Sequence, residues 1–74
     1  MVQKTKEKKY WFKEEELIKP IDWDYLHSLS ERIQDALELY MRGSISIGKA
    51  AEISRLPFRE FDLLRSKARI PLNV

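Results

Sequence analysis

The sequence contains no cysteine, which excludes disulfide bonds, thiolate zinc sites and thiol chemistry. It has a single histidine, His27, without companions at metal-ligand spacing, so we expect no metal site. No apolar run approaches the roughly 20 residues of a membrane-spanning helix. The basic start is not followed by the hydrophobic segment of a signal peptide. We therefore expect a cytoplasmic protein that does not enter a membrane.

Glycine is also scarce, and this argues against an enzyme. The two glycines, Gly43 and Gly48, are isolated, so the chain has no glycine-rich phosphate loop. No nucleophile stands in a pattern with a general base, and the glutamates at 14–16 are typical of a solvated surface rather than of a paired acid and base. We expect neither catalysis nor a cofactor.

The chain is short and its charge is uneven. Seventy-four residues form one domain at most, and so small a core favours a homodimer or another partner. Residues 1–10 carry four lysines against one acid, and residues 11–40 carry three basic residues against eight acids. Residues 41–74 carry seven basic residues against three acids. The two basic ends suit phosphate, and the acidic middle does not.

The pattern predicts an all-α fold with two parts. Residues 1–9 are expected to form a disordered basic arm, and residues 10–74 a single helical domain. An aromatic cluster, Tyr10, Trp11 and Phe12, opens that domain and either completes the core or binds a partner. Residues 12–18 are expected to make one or two helical turns with Leu17 and Ile18 facing inward.

A continuous apolar stripe predicts a long helix at about residues 23–42. Asp22 or Asp24 can cap its start, and Ser28 with Glu31 offers a second capping box if the helix starts later. Gly43 supplies the left-handed residue that closes it. Three apolar residues lie off the stripe and suggest a dimer seam: Trp23, Leu39 and Met41.

Residues 46–68 have the layout of a helix-turn-helix. Ser46 is expected to cap a helix at about 47–54, and Pro57 fits the first turn of a last helix that runs to about residue 68. Ala50 and Ala51 permit close crossing, and Leu56 fills the turn. A generic small helical bundle would show the same features. Many such turns have glycine at the place of Arg55.

In a DNA-binding helix-turn-helix the last helix lies in the major groove. Arg59 can read guanine, and the other basic residues can meet phosphates. Glu60 and Asp62 would oppose that contact. The expected DNA-binding residues are Lys49, Arg55, Phe58, Arg59, Arg65, Ser66, Lys67 and Arg69.

The second half of the chain resembles the UPF0175 family of small prokaryotic, often archaeal, proteins. The matching segments are ALELYMRG at 36–43, SISIGKAAEIS at 44–54 and REFDLLRSKARIPLN at 59–73. The resemblance implies a helix-turn-helix antitoxin that binds DNA and is often encoded beside a PIN-domain ribonuclease toxin. Family members often begin with a strand-like segment and continue with an acidic tail, neither of which this sequence carries.

Two functions are therefore open. The first is a helix-turn-helix protein that binds double-stranded DNA, as an antitoxin or a small transcriptional regulator, and acts as a homodimer. The alternative is a protein-interaction module that uses the aromatic cluster and the acidic middle without binding DNA.

Overall fold

Four short α-helices and one 3-10 turn make up the regular structure of residues 10–72, the part of the chain that the computed structural model describes. The 3-10 turn is Glu14–Glu16, and the helices are α1 (Trp23–His27), α2 (Glu31–Met41), α3 (Ile47–Ser54) and α4 (Phe58–Lys67). No strand occurs within these residues, which confirms the all-α class. The basic arm expected at 1–9 lies outside the described residues.

The single helix predicted at 23–42 is wrong, because the chain breaks between α1 and α2. Asp22 caps α1 by accepting from the amide of Tyr25, and Ser30, extended at ψ 157°, caps α2. The Gln34 amide donates to the carbonyl of Leu29 at 2.7 Å and so satisfies a group that the break leaves open. Serine side chains that bond to nearby backbone compete with helix continuation, and they do so here although the apolar stripe is unbroken.

The segment before α1 also differs from its prediction. Only Glu14–Glu16 form a 3-10 turn, and Leu17 is half-buried against the core. Ile18 does not face inward, since 99% of it is exposed. The backbone amide of Asp22 then bonds to the carbonyl of Ala68 at 3.0 Å, which ties the start of α1 to the end of α4.

Three helices end in the same way, on a residue in the left-handed region. These residues are Gly43 after α2 (φ 78°), Arg55 after α3 (φ 60°) and Arg69 after α4 (φ 63°). In each case the left-handed amide bonds to the carbonyl three residues back, and the next amide bonds to the carbonyl five residues back. This is the Schellman motif, in which glycine is the usual left-handed residue. The expected role of Gly43 is confirmed.

The core lies where α2 packs on α3 and α3 packs on α4. Its largest fully buried side chains are Tyr40, Phe61, Leu37, Met41 and Ile70. Alanines allow the helices to approach closely, and Ala36, Ala50 and Ala68 are completely buried. Because Met41 belongs to this core, it cannot contribute to the dimer seam expected on the long helix.

No helix among the described residues is long and apolar enough to cross a membrane.

Candidate nucleic-acid interface

The helices α3 and α4 are joined by three residues, 55–57, and share a small apolar contact. Ser46 caps α3, as expected, by accepting from the amide of Lys49 at 3.1 Å. Ala51 is buried in the core, Phe61 is fully buried, and Leu56 is half-buried against the core. The spacing of residues 51, 56 and 61 therefore places one apolar side chain on each helix and one in the turn.

The turn between them is closed by an arginine in a conformation that costs energy. Left-handed backbone costs a residue with a Cβ about 1–2 kcal/mol. Arg55 adopts this conformation in the turn, and Arg69 adopts it at the end of α4. Both are exposed and neither forms an ion pair with any described residue. Strained residues that glycine could replace are candidates for function.

The other basic residues of the pair fall into two groups. Arg59 and Lys67 are exposed on α4 and have no ion-pair partner within residues 10–72. Lys49 meets Glu52 at 3.5 Å, with 60% of its side chain in solvent, so this pair is weak. Arg65 is different, as it lies against Asp62 at 2.9 Å and also donates to the carbonyl of Ile70.

Arg65 therefore acts within the fold. Only 14% of its side chain is exposed, and its bond to the Ile70 carbonyl joins α4 to the segment that follows it. Among the expected DNA-binding residues, Arg65 is the one whose side chain stabilises the domain itself. The same contact neutralises Asp62, so that Glu60 is the one acid of α4 without an ion pair in the described region.

The outward side of α4 carries two large apolar residues. Phe58 is 52% exposed and Leu63 is 54% exposed. Phe58 and Ser66 stand where the sequence predicted, at the surface. Leu63 was not anticipated, although its position is readable: Phe61 and Ala68, which follows α4, are buried seven residues apart, and position 63 falls outside the stripe that joins them.

The aromatic cluster packs on the end of α2. The Trp11 backbone amide bonds to the carbonyl of Met41 at 3.1 Å, and its ring lies edge-on to Tyr40 with centroids 6.2 Å apart. Tyr10 stacks on Phe12 at 5.4 Å. All three residues are half-buried and contact the core, so the cluster completes the domain. Only its outer edges remain open to a partner.

Tyr10 is the one described group with a clearly perturbed titration. Partial burial, followed by the carboxylates of Glu38 and Glu14, raises its pKa to about 12. The hydroxyl lies 3.5 Å from each Glu38 carboxylate oxygen, where an ionised phenol would meet a like charge. Tyr10 is therefore held protonated, as a structural group.

No three metal-ligand side chains of residues 10–72 lie together in a way that could hold a metal ion.

Comparison with known proteins gives one relative. The chain is 50% identical over 38 residues to a UPF0175 protein of Archaeoglobus fulgidus, and these residues are 51% of this chain and 44% of that protein. The match thus spans less than half of the relative's length. No family model and no solved structure matches the chain. Over about half of its length this chain is similar to a UPF0175 protein, which confirms the resemblance predicted from its motifs.

Proposed function

We propose that this protein is a small helix-turn-helix DNA-binding protein, an antitoxin or transcriptional regulator, whose helix α4 lies in the major groove. The observation that carries the proposal is a set of exposed cations around α4 that form no ion pair with any residue the structure describes. They are Arg55, Arg59, Lys67 and Arg69. Phosphate contacts of this kind supply most of the affinity of a protein for duplex DNA.

The placement of the two left-handed arginines supports the same conclusion. Arg55 precedes α4 and Arg69 follows it, and the ten residues from Phe58 to Lys67 make a helix about 15 Å long. A major groove is about 12 Å wide, with a phosphate backbone along each side. We assign Arg55 and Arg69 to phosphates on either side of the groove, and Arg59 to a guanine on its floor.

Fluorescence anisotropy with labelled duplex DNA tests the proposal at several salt concentrations. Affinity should fall as salt rises, because each phosphate contact releases counterions. Arg55→Ala should lower the slope of log affinity against log salt by about one. Arg32→Ala is the matched control, since Arg32 is an exposed cation of α2 that forms no ion pair with any residue of 10–72. Absence of salt-dependent binding, or equal loss in both variants, contradicts the proposal.

Operator symmetry adds one partner to this proposal, and the resemblance to the family adds another. One is a second copy of the chain, because helix-turn-helix proteins commonly bind two half-sites as dimers. The other is a PIN-domain toxin. Light scattering at micromolar concentration tests the first, and a mass of one chain contradicts it. Co-expression with a neighbouring PIN-domain protein tests the second, and separate elution of the two proteins contradicts it.

A further inference from the structure

We infer that α4 recognises thymine in the major groove through the side chain of Leu63, next to a guanine bound by Arg59. This inference rests on the proposed DNA binding and adds to it the base that an apolar side chain would select.

The first observation is the exposure of Leu63. It lies in the middle of α4 with 54% of its surface in solvent, and it is not among the residues that pack on the core. Burying it would be favourable in proportion to the apolar surface removed from water. A single exposed leucine is common on proteins, so exposure alone does not identify a partner.

The second observation is the charge on both sides of it. Arg59 lies four residues before Leu63 and Lys67 four residues after it, so the three side chains share one face of the helix. Both cations are exposed and unpaired within the described chain. The two cations suit a polyanion, and the leucine between them suits an apolar group on that polyanion.

Duplex DNA presents one apolar group in its major groove, the C5-methyl group of thymine. Four residues of helix span about 6 Å, which is less than two base-pair steps of about 3.4 Å. The guanine bound by Arg59 and the thymine touched by Leu63 should therefore lie one or two steps apart. Phe58 is also exposed, at 52%, in the first turn of α4.

The experiment starts with selection of bound sequences from a random duplex pool by the intact protein. Each thymine of the best duplex is then replaced, one at a time, by deoxyuridine, which lacks only the methyl group. The wild-type protein should lose about fourfold in affinity at one or two positions, the equivalent of about 0.8 kcal/mol for a buried methyl group. The Leu63→Ala variant should show no loss at those positions.

Two further variants make the result specific. Leu63→Met keeps an apolar side chain and should retain the sensitivity to deoxyuridine. Leu72→Ala removes another exposed leucine, 46% exposed and outside α4, and should also retain it. Circular dichroism should show equal helix content in all variants, since Leu63 is outside the core.

The possible outcomes separate the two claims. Sequence-specific binding with no deoxyuridine effect, or an equal effect in wild type and Leu63→Ala, overturns the thymine inference and leaves DNA binding in place. Failure to enrich any duplex, together with an absence of salt-dependent binding, overturns both.

Discussion

The indole nitrogen of Trp11 donates to the backbone carbonyl of Tyr40 at 3.0 Å, and through this bond the N-terminal segment closes the end of α2. We expect Trp11→Phe to destabilise the protein by about 1 kcal/mol, because it removes this bond and leaves most of the ring contact. Trp11→Ala should cost roughly 2 kcal/mol or more. Chemical denaturation measures both.

The control for this pair is Ile18→Ala, which removes an almost fully exposed side chain and should change stability by less than about 0.5 kcal/mol. Unchanged stability in Trp11→Ala would contradict a structural role for the cluster. It would return residues 10–12 to the alternative role of a partner-binding surface.

The two glycines should respond in opposite ways to the same substitution. Gly43 has a φ of 78°, so Gly43→Ala should destabilise by about 1 kcal/mol through backbone strain, since Trp11 leaves an ordinary 3.6 Å for the new Cβ. Gly48 lies in the first turn of α3, where a new Cβ would make only an ordinary 3.9 Å contact with the Ser46 Oγ, and Gly48→Ala should stabilise by roughly 0.5–1 kcal/mol. Thermal unfolding of the two variants checks this, and shifts of the same sign would refute it.

Replacing either left-handed arginine with glycine should change stability and DNA affinity in opposite directions. Arg55→Gly and Arg69→Gly each relieve strained backbone and should raise the free energy of unfolding by up to about 1 kcal/mol. Each should also weaken DNA binding, as a cation is lost. Arg59→Gly offers the contrast, because it places glycine within a helix and should lower both quantities. Loss of stability in Arg55→Gly would contradict the strain.

The raised pKa of Tyr10 should make the protein less stable at high pH. Its pKa is near 10 when unfolded and about 12 when folded, so between these values the unfolded chain releases a proton that the folded chain keeps. The stability contributed by Tyr10 is complete below pH 10 and is lost as pH rises through 12. Denaturation at pH 9.5 and 11.5 should show a smaller loss in Tyr10→Phe than in wild type. Equal losses would rule out this contribution.

Much of the fold was predictable because it depends on local signals. Ser46 and the alanines that follow define α3 with its observed bounds, and Gly43 takes the left-handed conformation expected of it. The break between α1 and α2 was not predicted, because the apolar stripe runs through it and the deciding bonds come from Ser30 and Gln34, which periodicity ignores.

The sequence could predict which residues make up the candidate site, but not which of their side chains are exposed and open to a ligand. Sequence places Arg65 and Arg69 alike at the end of the last helix. Only the fold distinguishes them, since Arg65 bonds to Asp62 and to the Ile70 carbonyl and Arg69 makes no ion pair with described residues. Leu63 was missed for the opposite reason: a leucine on an amphipathic helix is normally counted as core.

The bond from the Asp22 amide to the Ala68 carbonyl joins residues 46 positions apart, whereas α2, α3 and α4 contact their neighbours in the chain. Contacts between distant positions form late, because a long loop must close first. The three later helices should therefore assemble first, and the segment before them should dock last and open most readily. In hydrogen exchange, the Asp22 amide and the Trp11 indole should exchange sooner than the amides inside α2 and α3.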